Sequence, residues 1–238
     1  MYAPRVTDSN QRIARQLQDT LDLKTAPVAL VFSNAPPPDV PKVASPAPAG
    51  CAYWKRAAEG ELFYTAGADH LGCAIGAYTH GAELGAEGEQ TLTTMIGTMT
   101  GLGYLAEGDV PEIPKMPKML AFVTYGPLAR VTGDADVVLL RATPRAAMLV
   151  NEALHAAGAR SPSAPVMRPA CAMVPQVMAT QRGTSSFGCI GNRVYTGLPD
   201  GEVWMALSGH DLSAVTAQLE TTANANHELE AFHRARLS

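Results

Sequence analysis

The chain has 238 residues, 47% of them hydrophobic and 17% charged, with a formal net charge of −4. That composition suits a packed globular protein and argues against disorder. It leaves no basic footprint for nucleic acid, and no window approaches the roughly 18 to 20 apolar residues of a membrane helix.

The first residues, Met1 to Arg5, lack the apolar core of a signal peptide and lead straight into a polar helix pattern. The expected location is therefore the cytoplasm, where thiols stay reduced. Four cysteines in that setting read as metal ligands or reactive thiols rather than disulfides.

Asp8 or Ser9 can cap a first helix, with Ile13, Leu17 and Leu21 at helical spacing. Val28 to Phe32 predicts a short buried strand, followed by an irregular loop rich in Pro and Ala over 33–50. A helix is expected from Cys51 to Glu59, then a strand over Leu62 to Thr65. A Gly-rich stretch carries His70 and Cys73, and a longer helix is expected over Glu89 to Leu102 with its Met and Leu positions facing a core. Pro111, Pro114 and Pro117 form a stiff connector. It divides an N-terminal lobe, 1–110, from a C-terminal lobe, 118–238, unless both form one compact domain. Strands follow at Lys118 to Tyr125 and Val137 to Leu140, then a helix opened by Pro144 and closed by Gly158. A second Pro/Ser loop leads to a short helix from Cys171. The Gly-Cys segment at 188–189, a strand at Val203 to Leu207 and a closing helix from Asp211 to Arg234 complete the chain.

Two segments resemble each other. In the first, Cys51 opens a helix and Gly72-Cys73 follows, then Tyr78-Thr79; in the second, Cys171 opens a helix and Gly188-Cys189 follows, then Tyr195-Thr196. Gly60-Glu61-Leu62-Phe63-Tyr64 also looks like Gly201-Glu202-Val203-Trp204-Met205, but its order relative to the second cysteine differs. The expectation is a mixed α and β (α+β) fold of two pseudo-related lobes, with an internal, partly rearranged repeat. Packing about a pseudo-two-fold axis would bring the four thiols together.

The pattern Cys51…Gly60-x-x-x-Tyr64…Cys73-x-x-Gly76, Arg168-Pro169-x-Cys171 and Gly188-Cys189-x-Gly191-Asn192-Arg193-x-Tyr195 resembles a prokaryotic family known only as a domain of unknown function. The likeness runs from about residue 10 to the terminal helix. It implies unity of fold and adds no chemistry.

Cys51, Cys73, Cys171 and Cys189 are all the cysteines of the chain, and four thiolates meet the ligand requirement of an iron–sulfur cluster or a structural zinc. A helix N-terminus favours thiolate at Cys51 and Cys171. The glycines before Cys73 and Cys189 let amides approach sulfur. Against a metal stands the spacing: 21 and 17 residues separate the members of each pair, with no local Cys-x-x-Cys motif. Long intervals suit a cluster held at an interface, such as 4Fe-4S, better than a compact zinc ribbon. Metal-free thiol chemistry on an acidic small molecule, a non-catalytic small-molecule or metal-binding domain, and cysteines that merely pack remain the alternatives.

His70, Asn192 and Arg193 are candidate cofactor-binding residues: His70 as a ligand or proton carrier, Asn192-Arg193 as a grip on carboxylate or phosphate. His80 reads as a surface histidine at least as readily as a site residue, and His155, His210, His227 and His233 more so. Lys55 and Arg56 fit a solvated helix face, and Tyr64, Tyr78 and Tyr195 fit core positions. No phosphate loop, nucleophile elbow or His-Glu-x-x-His motif is present. The expected partner is a small molecule or a redox partner; the sequence leaves the reaction and the oligomeric state open.

Overall fold

The computed structural model describes residues 6–106, 112–117, 121–161, 165–166 and 169–237. Its centre is a single six-stranded sheet built from β1 (Val28–Ser33), β2 (Phe63–Ala66), β3 (Phe122–Pro127), β4 (Val137–Ala142), β5 (Thr184–Ser186) and β6 (Val203–Ser208). The spatial order is β2-β3-β1-β4-β6-β5, and every pairing is antiparallel. The mixed α/β class expected from the sequence is the class observed.

Reading outward from the central pair gives β1-β3-β2 on one side and β4-β6-β5 on the other. First strand, third strand, second strand: the order is identical. The central pair sets Ala29 opposite Val138, and an antiparallel pair is what an approximate two-fold axis through the sheet requires. The helices obey the same relation. Helix α2 (Gly50–Ala58) joins β1 to β2, as α6 (Met173–Thr180), entered through a 3-10 turn at Ala170–Ala172, joins β4 to β5. Short helices follow next in each half: α3 (Ala74–Thr79) after β2 and α7 (Ile190–Thr196) after β5.

The repeat is therefore partial, because other helices lack counterparts: α4 (Gly85–Gly101) in the first half and α5 (Pro144–Ala156) in the second. The reordering noted in the sequence has a simple cause. Phe63–Ala66 is an outermost strand, whereas Val203–Ser208 pairs with β4 and corresponds to β3. The two Gly-Glu segments share strand chemistry, not a place in the fold. Since β3 pairs with both β1 and β2, the midline between the halves falls after Pro127, beyond the proline stretch. Pro111 of that stretch, Lys118 at the start of the expected strand, and Arg168 of the family pattern lie outside the described residues.

Strand side chains alternate, so the sheet has two buried faces. Ala29, Val138, Leu140, Met205 and Leu207 face three helices, α1 (Val6–Leu21), α5 and α8 (Leu212–Arg234). Ile13, Leu17 and Leu21 supply the apolar stripe of α1 at steps of four. Helix α5 starts as its sequence implies: Pro144 occupies the first turn and the Thr143 hydroxyl accepts from the Ala146 N–H at 3.2 Å. Leu30, Tyr125, Val137, Leu139 and Trp204 point the other way, onto Tyr53 and Trp54 of α2 and Met173, Val174 and Val177 of α6. Cys51 and Cys171 belong to that second face. Helix α4 departs from expectation. It has no buried residue, its Met95 and Met99 are only half-buried, and α3 is its main packing partner. No helix among the described residues is long and apolar enough to cross a membrane.

Adjacent residues of β4 separate the roles of the two faces. Leu139→Ala and Leu140→Ala each empty a fully buried site and should each cost about 2–5 kcal/mol by chemical denaturation. Only Leu139→Ala lies on the cysteine face, so only it should speed alkylation of Cys51 and Cys171. Equal acceleration by Leu140→Ala would contradict the two-face assignment.

A candidate four-cysteine centre

Each half contributes one thiol from an inner helix and one from a short outer helix. Cys51 is the second residue of α2, and Cys171 lies in the 3-10 turn that opens onto α6. Cys73 and Cys189 hold equivalent positions, as the N-caps of α3 and α7. All four are free thiols; Cys51 and Cys171 are buried, Cys73 and Cys189 partly exposed. They share one neighbourhood. A charge on Cys51 is felt from Cys189 and Cys73, and a charge on Cys171 from Cys51, Cys73 and Cys189. Among the described residues, however, no three His, Cys, Asp or Glu side chains stand so as to hold a single metal ion.

The halves also exchange contacts. Helix α3 packs against the 3-10 turn of the second half, and its Thr79 hydroxyl lies 3.3 Å from Cys171 Sγ. Helix α7 packs against α2 of the first half, and the Asn192 carboxamide stands beside the Cys51 thiol, favouring its thiolate. The Asn192 N–H also donates to Cys189 Sγ at 3.5 Å. One asparagine thus touches a cysteine from each half.

Two glycines shape the loops that carry the outer cysteines. Gly188 has φ +80°, and a Cβ there would come within 3.0 Å of Asn192 Oδ1. At Gly72 a Cβ would meet the Ala47 carbonyl oxygen at 2.7 Å, so the loop bearing Cys73 lies flush on the Pro/Ala loop. The glycine before Cys73 thus serves backbone packing rather than approach to sulfur.

Burial opposes the thiolates expected at the helix starts. Burial pushes the Cys51 thiol up to about 12, against the lowering effect of Asn192, with Cys189 and Cys73 adding to the rise. Burial drives Cys171 higher still, opposed by Thr79. The magnitudes explain the outcome. A helix terminus contributes about 0.3–2 kcal/mol, while full burial shifts a group by as much as about 3–5 pKa units, or roughly 4–7 kcal/mol.

His70 and His80 are both buried, contrary to a surface reading of His80, and their rings stack at 5.6 Å. Thr65 Oγ1 lies 2.8 Å from His70 Nε2 and 3.2 Å from the Val123 carbonyl. His80 Nδ1 faces the Gly76 carbonyl at 2.9 Å and must donate. His70 Nδ1 and His80 Nε2 are buried with no hydrogen-bond partner among the described residues. Burial, then the neighbouring His80, lowers His70 to about 3, and burial lowers His80. Neither is a cation at neutral pH. His155, His210, His227 and His233 are exposed, as expected.

Arg193 does not point its charge into the centre. Its guanidinium donates to the carbonyls of Phe187, Pro199, Leu198 and Glu202, at 2.7 to 3.5 Å, with Asp200 3.6 Å away. It ties α7 and the loop before Cys189 to the turn before β6, and the anion grip expected from Asn192-Arg193 is replaced by backbone clamping. Lys55 and Arg56 pair with Glu59 and Glu61 on a solvated face. Tyr64 and Tyr78 are half-buried and Tyr195 is exposed, while Tyr53 and Tyr125, not singled out in the sequence, are fully buried. Tyr125 lies beside Cys51 and Cys171, and its hydroxyl has no hydrogen-bond partner among the described residues. Its place on β3, facing the same way as Val123, is a period-two signal that marks burial but not its neighbours.

The family model for the uncharacterised ArCR proteins, DUF169, matches residues 16–218. The chain belongs to the ArCR family. The ArCR match spans both halves of the sheet and includes all four cysteines, Thr79 and Asn192. Neither a curated protein nor a solved structure matches the chain.

Two outcomes follow for the metal-free protein. Iodoacetamide should label Cys73 and Cys189 well before Cys51 and Cys171, as read by peptide mass spectrometry; uniform labelling would refute the burial contrast. The histidines make stability pH-dependent. The unfolded chain takes up their protons near pH 6.5, while the folded state resists to about 3 at His70. Stability is therefore full above pH 6.5 and falls below it, by up to about 1.4 kcal/mol per pH unit for each histidine. Urea denaturation between pH 7 and 4.5 should show that slope, reduced in His70→Phe.

Proposed function

We propose that this protein is an iron–sulfur protein in which Cys51, Cys73, Cys171 and Cys189 together hold one cluster, of the 4Fe-4S class, for a small redox or accessory reaction. The observation that carries the reading is the meeting of every cysteine in the chain at one place, two from each half of a pseudo-symmetric sheet. Packing alone gives no reason for four thiols, and no others, to converge.

The donor set favours a cluster over a single zinc ion. Four sulfurs on one tetrahedral ion at about 2.3 Å lie about 3.8 Å apart, and cysteines separated by 21 and 17 residues and drawn from two halves lack the tight local spacing of a zinc knuckle. A cluster gives each thiolate its own iron and so accepts a wider set. Bound there, a cluster supplies reversible one-electron transfer. The chain's own part is to bury two ligands, present hydrogen-bond donors to sulfur, and leave Cys73 and Cys189 towards the surface where a redox partner or small molecule can approach. Metal-free catalysis fits less well: burial keeps Cys51 and Cys171 protonated at neutral pH, and Arg193, the expected anion grip, is committed to backbone carbonyls.

The test is anaerobic reconstitution of the full chain with ferrous iron and sulfide. A brown protein with about four iron and four sulfide per chain supports the reading; a colourless one, or one holding a single zinc, overturns it. The cysteine variants separate a shared centre from packing. Cys73→Ser and Cys189→Ser should each abolish the colour and lower Tm, and the double variant should lose little more than either. Additive losses of about 1–2 kcal/mol each would point to independent packing sites.

A further inference from the structure

We infer that Thr79 and Asn192 are a crossed pair of hydrogen-bond donors that sets the reduction potential of the four-cysteine centre, each carried by one half and directed at a cysteine of the other. The inference rests on the cluster reading and deepens it.

The Thr79 hydroxyl has one hydrogen and three polar neighbours: the Gly76 carbonyl at 2.8 Å, Cys171 Sγ at 3.3 Å, and His80 Nδ1 at 3.2 Å, which is itself a donor and takes no hydrogen from it. That carbonyl is already occupied: it accepts the His80 N–H at 3.2 Å and the His80 Nδ1–H at 2.9 Å, which fill its two lone pairs. A ligating thiolate at Cys171 is a stronger acceptor than a protonated thiol, so it takes the Thr79 hydrogen. The hydroxyl is held ready for this, since Thr79 is fully buried and its backbone carbonyl is fixed by the Met116 N–H at 2.9 Å.

Asn192 serves the other diagonal. It is 2% exposed, and its Nδ2 has no regular hydrogen-bond partner among the described residues although it stands beside Cys51. An amide buried with both N–H groups unclaimed costs about 1–3 kcal/mol, and a thiolate at Cys51 is the acceptor within its reach. The backbone N–H of the same residue already points at Cys189 Sγ. Three of the four sulfurs therefore meet a donor, and two of those contacts cross between halves. Reduction adds one electron to the centre and makes the sulfurs more negative. Donors aimed at sulfur stabilise that state and raise the potential. Thr79 and Asn192 touch ligand atoms and are potential-setting, not catalytic, residues.

The experiment uses the full chain reconstituted with ferrous iron and sulfide, titrated anaerobically with dithionite in the presence of mediators and followed by electron paramagnetic resonance. Thr79→Val and Asn192→Leu should each move the midpoint to a more negative potential at unchanged iron content. Thr79→Ser, which keeps the hydroxyl, should restore the wild-type value. Because the two donors serve different sulfurs, the double variant should show the sum of the shifts. A loaded Thr79→Val protein with the wild-type midpoint overturns the inference, and this holds even if Asn192→Leu does not fold. Wild-type protein that takes up no iron or sulfide removes the cluster reading itself, and this inference with it.

Discussion

The antiparallel pairing of β1 with β4 is the constraint on which the rest depends. Each half brings one inner and one outer cysteine, and neither half alone holds more than two thiols. Joining the halves at Ala29 and Val138 turns two separate pairs into one set of four. The same pairing makes the sheet continuous, so the face that carries Cys51 and Cys171 is one buried layer rather than two. Separation of β1 from β4 would leave the sequence motifs intact and dismantle the centre.

Burial then decides the chemistry available there. A buried thiol resists ionisation far more strongly than a helix terminus promotes it, so the inner cysteines stay neutral until something positive arrives. The surrounding polar groups show the same readiness. Tyr125, Asn192 and His80 each bury at least one polar atom without a partner among the described residues, in a region where every orphan costs stability. Binding a metal centre would then contribute to folding free energy, because the unfolded chain has no assembled site.

Long elements were legible because their signals are periodic. The stripe Ile13, Leu17, Leu21 defined α1, and Pro144 with Gly158 bounded α5. The elements that were missed are the shortest: β5 has three residues, α3 six and α7 seven. Such lengths carry less than two helical turns, too few for a period to register. They are also the elements that present Cys73 and Cys189. The false match of Gly60–Tyr64 with Gly201–Met205 has a related cause: strand chemistry after a Gly-Glu turn looks alike wherever the strand pairs.

By itself the sequence determined the composition of the site: four cysteines in two related settings, Asn192 beside one of them, and the inner helices that begin near Cys51 and Cys171. Residue identity and local periodicity are written in the chain and need no partner to be read. Only the tertiary structure decided that Thr79 and Asn192 reach across to the cysteines of the opposite half, that Arg193 turns away to bind carbonyls, and that burial outweighs the helix dipole at Cys51. These are consequences of strand pairing between residues about a hundred positions apart. Desolvation and hydrogen-bond geometry depend on what that pairing packs together, which no local pattern encodes.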